Sequence, residues 1–131
     1  MSPSKMLNVA FGMTRVGFGI FASSAPQLVG RTWIGEEADR PGAGVILRAL
    51  GFRDIALGAG TLDGALRGEA RGWLAVCMLS DLGDVATTLI GHNRIDRQSV
   101  LMTTFFAGSA AVASGVLLAL NEADRSSPSG Q

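Results

Sequence analysis

Between Ala43 and Asp63 the chain has the length and apolar content of a membrane helix, yet Arg48, Arg53 and Asp54 lie inside it. An Arg or Asp at the centre of a spanning helix costs about 2.5–3.5 kcal/mol, whereas each Leu, Ile, Val or Phe returns about 0.3–0.6. The large apolar residues are Val45, Ile46, Leu47, Leu50, Phe52, Ile55, Leu57 and Leu62. They return roughly 4 kcal/mol against roughly 8 for the three charges, with Arg48 discounted because it lies nearer an end. Alone, this segment does not stay in lipid. It needs neighbours that present opposite charge.

The rest of the chain offers them. The spacing predicts helices over about residues 6–29, 42–66, 73–90 and 100–120, with Pro26 in the last turn of the first. The last segment lies within 24 uncharged residues, Gln98 to Asn121, long enough to span without help. The polar turn Arg67-Gly-Glu-Ala-Arg-Gly72 makes the second and third segments antiparallel neighbours. Residues 30–41 read as a polar connection with Trp33 and Ile34 at headgroup level, and Ser/Gly/Pro-rich residues 121–131 as a disordered tail. Strands are excluded by long apolar runs without period-two alternation. A soluble bundle needs a polar face on every helix, and the fourth segment has no charged one. The expected fold is therefore all-α: an integral membrane four-helix bundle, antiparallel up-down, in one domain with both termini on one side.

Composition narrows the function classes. Eighteen Gly, 47% hydrophobic residues and 17% charged residues suit helices packed in lipid. Zero net charge gives no field for nucleic acid. One cysteine and one histidine supply no metal cluster, and no cofactor motif is present. Gly-x-Gly pairs lack the preceding strand of a nucleotide loop. Ten Arg against one Lys is the usage of a GC-rich bacterial gene, so the expected location is a bacterial cytoplasmic membrane. Lys5, the apolar run and Ser23-Ser-Ala25 imitate a signal peptide, but Arg15 interrupts the run and Pro26 would follow the cut. An uncleaved first span is expected. Basic residues divide four against four between the two sides, which leaves orientation open.

Helical spacing collects the polar residues into stripes. Gly12, Arg15 and Gly19 share one face of the first helix, and Gly51, Asp54 and Gly58 repeat the arrangement in the second. Each charge lies between two glycines, where another backbone can approach, so Arg15 is expected to face Asp54, with Asp81 or Asp84 as alternatives. The third helix carries Cys77, Asp81, Asp84 and Thr88, and the fourth a small-residue seam of Thr104, Gly108, Ala111 and Gly115. Gly44, Gly51 and Gly58 repeat every seven residues, as in a left-handed bundle. Arg15, Arg48, Arg53, Asp54, Asp81 and Asp84 sum to zero charge.

Two readings of these charges stand side by side. In one, they pair only to assemble the bundle or dock a partner, because an unpaired buried charge is costly. In the other, neighbouring Asp81 and Asp84 act as general acid or proton carrier, with Arg15, Arg48, Arg53 and Asp54 holding a small amphipathic ligand. Cys77 reads as packing and His92 as a solvated helix end. Partners compatible with both readings are the lipid bilayer, a membrane protein and a second copy of the chain. Whether the chain is an enzyme is open, and alternating-access transport by four short helices is disfavoured.

Arg15 with Pro26 after it, Arg48-Ala-Leu-Gly-Phe-Arg-Asp54 with Leu57-Gly58, and Asp81-Leu-Gly-Asp84 together resemble small bacterial four-span membrane proteins of unknown function that are distantly DoxX-like. The resemblance covers residues 6–120 and implies the membrane fold without an assigned activity. DoxX-like proteins have redox or accessory roles, and this chain has no cysteine pair to support a redox one.

Overall fold

The computed structural model describes residues 1–127, and those residues form helices without strands. The order is α1 (Pro3–Ser24), α2 (Pro26–Ile34), a 3₁₀ segment (Gly35–Asp39), α3 (Ala43–Arg67), α4 (Ala70–Ile90), a 3₁₀ turn (His92–Arg94) and α5 (Arg97–Ser126). Three of the helices, α1, α4 and α5, are long and apolar enough to cross a membrane. The charged helix α3 is not among them, in keeping with its own unfavourable balance.

Local chemistry sets the boundaries. Ser2 caps α1 by accepting from the Lys5 amide at 3.3 Å. Pro26 does not sit in the last turn of the first helix but begins a new one. Proline disfavours helical geometry in the residue before it, and Ala25 accordingly breaks the helix at φ −128°, ψ 59°. The expected polar connection is thus a second short helix and a 3₁₀ segment, an elbow folded back over α3. Gly68, at φ 79°, closes α3 as its left-handed cap, with the Glu69 amide returning to Gly64 O at 2.6 Å. Asp96 caps α5, accepting from the Ser99 amide at 2.9 Å.

The last helix also runs further than its composition suggests. Residues 121–126 are helical rather than a disordered tail, because that turn is tied down. Asn121 and Asn8 exchange amide hydrogen bonds at 2.9 and 3.1 Å, Ser4 donates to Asp124, and Arg71 pairs with Glu122 at 2.6 Å. Residues 128–131 of the expected tail lie outside the described residues. These ties bring the N-terminal end of α1, the α3–α4 turn and the C-terminal end of α5 to one side, with the elbow at the other.

The interior mixes polar and charged side chains with small and aliphatic ones, and many large apolar side chains lie outside. Arg15, Asp54, Asp81, Thr61, Thr88 and Ser114 are buried, while Phe18, Ile46, Phe52, Leu79, Ile90, Phe105 and Val112 are exposed. A small apolar cluster of Ala65, Ala70, Leu74 and Leu117 closes the end near the α3–α4 turn.

Candidate functional site

The charges meet where α1, α3 and α4 cross. Helices α1 and α3 touch backbone to backbone: a Cβ on Gly58 would lie 2.7 Å from Gly12 O, and one on Gly51 2.8 Å from Gly19 O. Gly12 opposite Gly58 and Gly19 opposite Gly51 make the pair antiparallel and set Arg15 and Asp54 face to face, as their matching stripes predict. Arg15 Nη2 donates to Asp54 Oδ1 at 2.5 Å. It does not choose between partners. The same guanidinium grips Asp81 through two bonds, Nη1 to Oδ2 at 2.7 Å and Nη2 to Oδ1 at 2.9 Å. Side-chain exposure is 8% for Arg15, 7% for Asp54 and 5% for Asp81, so this triad is dry.

A second fork extends it. Arg53 holds Asp84 through Nη1 to Oδ1 at 2.9 Å and Nη2 to Oδ2 at 2.7 Å. Its Nη2 also lies 3.6 Å from Asp54 Oδ2. The result is a continuous line, Asp81–Arg15–Asp54–Arg53–Asp84, alternating in sign. Two guanidiniums serve three carboxylates, which leaves one negative charge over when all five are ionised. The outer pair is less enclosed, with Arg53 29% and Asp84 15% exposed. Phe11 covers Arg15, its ring centroid 5.8 Å from Cζ, and the Nε atoms of Arg15 and Arg53 are buried without a partner among the described residues.

Arg48 is not in this line. It is exposed and has no ion pair among the described residues; its guanidinium and the Gln27 amide flank Gly44 instead. The zero sum therefore does not describe the buried set. At 3.6 residues per turn, six residues turn Arg48 about 120° away from Asp54, onto another face. Cys77 is fully buried, 3.6 Å from Thr61 Oγ1 and one turn from Asp81. His92 is an exposed helix-end residue whose Nδ1 lies 2.8 Å from Leu89 O.

In α5 the buried line is Thr103, Ala111, Ser114 and Leu117 rather than the proposed Thr104, Gly108, Ala111 and Gly115, and only Ala111 is common to both. A Cβ on Gly108 would meet nothing within 4 Å. Sequence reasoning also missed the Asn8–Asn121 pair. The signal was present: Asn8 precedes Gly12 by four residues and Arg15 by seven, on the same stripe.

Two grooves lie at the elbow end, and neither is lined by a member of the charged line. Beside one of them the Asp96 carboxyl is held below its ordinary value, chiefly by the Ser99 hydroxyl and then by the Ser99 amide. On α2, Asp39 raises the Arg31 guanidinium through a two-bond fork at 3.0–3.1 Å. Comparison with protein-family models, with curated proteins and with solved structures finds no match for this chain.

Proposed function

We propose that the chain is a four-span membrane protein whose buried Arg/Asp line is an assembly device, and that it works as a small accessory or scaffolding subunit. In this reading α1, α3, α4 and α5 cross the bilayer up and down, and the elbow lies at one interface. The supporting observation is the inversion of the surface. A chain that buries Arg15, Asp54 and Asp81 and exposes Phe and Leu on its long helices suits hydrocarbon outside and not water. The charged line is closed on itself, with every carboxylate gripped by a guanidinium and neither elbow groove lined by it, so it favours architecture over an open ligand pocket. The DoxX-like resemblance and the bacterial membrane location belong to the same proposal.

A second reading has one specific observation behind it, the surplus carboxylate. A line of three carboxylates and two guanidiniums sheds its excess charge by holding one proton, and that proton makes a relay or general acid out of Asp81 or Asp84. Infrared spectroscopy of the full protein in lipid separates the two readings. A carboxyl band that titrates near neutrality, and that vanishes in only one of Asp81→Asn and Asp84→Asn, establishes the proton. No titrating band, with both variants simply less stable, leaves assembly as the role.

A further inference from the structure

The groove between the elbow and α3 is built more firmly than a passive crevice. Its floor is the α3 face of Ile46, Leu47 and Leu50, its wall is Trp33, and its volume is about 380 Å³, within the range of small-molecule sites. The walls are clamped before any occupant arrives. The Trp33 indole donates to Thr88 Oγ1 at 3.3 Å, and the Trp33 carbonyl accepts from Thr103 Oγ1 at 3.4 Å. Gly30 lets the elbow descend onto α3, where a Cβ would run into Leu47 and Ala38. A pre-formed wall lowers the ordering cost of binding.

The polar part of the groove is confined to its rim. There Arg40 Nε pairs with Glu37 Oε2 at 2.6 Å, and both side chains are well exposed. We propose that the groove takes one acyl chain of a zwitterionic phospholipid, with the phosphate on Arg40 and the amine on Glu37. The proposal rests on the membrane reading above, which puts the elbow and Trp33 at headgroup depth. Both signs at the rim decide the ligand class. A fatty-acid carboxylate or net-anionic headgroup would take Arg40 from Glu37 and leave that carboxylate beside a second negative charge. A zwitterion satisfies both, and an exposed pair of this kind is held weakly enough to open.

Trp33 reports occupancy directly, because it forms the wall. The chain has two tryptophans; Trp73→Phe isolates the Trp33 signal, and Trp33→Phe measures the Trp73 background if the first variant folds poorly. The full chain is reconstituted in phosphatidylglycerol vesicles containing a minor fraction of phosphatidylethanolamine with brominated chains. The converse vesicles are phosphatidylcholine with a minor fraction of brominated phosphatidylglycerol. Trp33 quenching is expected to be about fivefold stronger in the first, the scale of exposed charge contacts. The preference should disappear in Glu37→Gln/Arg40→Gln, and Ala43→Phe, at a lining position of the groove, should reduce quenching in the first vesicles. Equal quenching in the two vesicles, stronger quenching by the anionic lipid, or a preference that survives the rim variant overturns the proposal. Flotation with the vesicles is scored first. Protein that does not float contradicts the membrane reading itself, whereas protein that floats without selective quenching contradicts only the groove.

Discussion

The α1–α3 seam and the α4–α5 seam are built from similar small residues but close to different depths. At the first, glycine faces glycine and a carbonyl oxygen lies where a side chain would begin. At the second, Gly108 faces open space, and Gly115 has only Met78 Sδ at ordinary contact distance, 3.6 Å from its would-be Cβ. The charges lie at the first seam. Arg15 reaches Asp54 and Asp81 together only if α1 lies directly on α3, and glycine on both sides permits that approach. Helix α5 carries no charge into the interior, and its buried line is made of hydroxyl and alkyl groups. Between α1 and α3 the facing glycines allow the close approach, and Arg15 and Asp54 meet within it.

The largest effect expected from this contrast is at Arg15. Arg15→Leu strips the guanidinium from two carboxylates and should cost about 3–5 kcal/mol, as for other broken buried pairs. The second-site response is more telling. Asp81→Leu should recover more of the loss than Asp54→Leu, because Asp54 retains Arg53 at 3.6 Å while Asp81 pairs with no other cation among the described residues. A double-mutant cycle on thermal unfolding in detergent measures both, and equal rescue would break the bidentate assignment.

Glycine substitutions separate the packed face of α3 from an open face of α5. Gly58→Ala puts a methyl 2.7 Å from Gly12 O and from Val16 N, both backbone atoms. It should cost roughly 1–3 kcal/mol, the scale of overpacking. Gly108→Ala meets nothing and should be neutral or gain up to about 1 kcal/mol from helix propensity. A loss at Gly108 to match that at Gly58 would show that this face of α5 is packed and not open. A smaller effect is expected where α1 meets α5. Asn8→Ala breaks the reciprocal amide pair with Asn121 and should lose about 0.6–1.7 kcal/mol, the range of interhelical hydrogen bonds in bilayers.

The smallest expected effect lies at the start of α5, outside the charged core. The folded Asp96 carboxyl titrates below its ordinary value of 3.8. Its contribution is therefore complete above that value and is lost as pH falls through the lower, folded one. The protection of the Ser99 amide, its exchange rate set against the intrinsic rate at the same pH, should fall under acid in the native protein and stay level in Asp96→Asn. Equal acid sensitivity in both would remove the cap from the explanation.

The parts legible in the sequence are those where charge and periodicity coincide. Arg15 between Gly12 and Gly19, and Asp54 between Gly51 and Gly58, named both faces and their partner, because a charge in an apolar helix has few places to go. The stripe through Cys77, Asp81, Asp84 and Thr88 was legible for the same reason; Cys77, Asp81 and Thr88 are buried, and Asp84 is partly exposed. Where periodicity stood alone it misled: in α5 so many residues are small that several registers fit, and the buried line runs through Thr103 and Ser114 instead of Thr104 and Gly115. Counting charge without angle put Arg48 in the core. The elbow was missed because a polar sequence after a proline reads as loop, and its helical form depends on tertiary contacts from Thr88, Thr103 and Leu47.

The central claim is that α3 spans the bilayer only because α1 and α4 neutralise it. Glycosylation mapping tests this, with acceptor sites placed in the 3₁₀ segment before α3 and in the turn after it. In the full chain the two sites should fall on opposite sides of the membrane. In a carrier that presents residues 43–67 between hydrophilic flanks, the segment should fail to span, since its charges outweigh its apolar residues by roughly 4 kcal/mol. Efficient spanning by the isolated segment would contradict the claim, as would both sites on one side in the full chain.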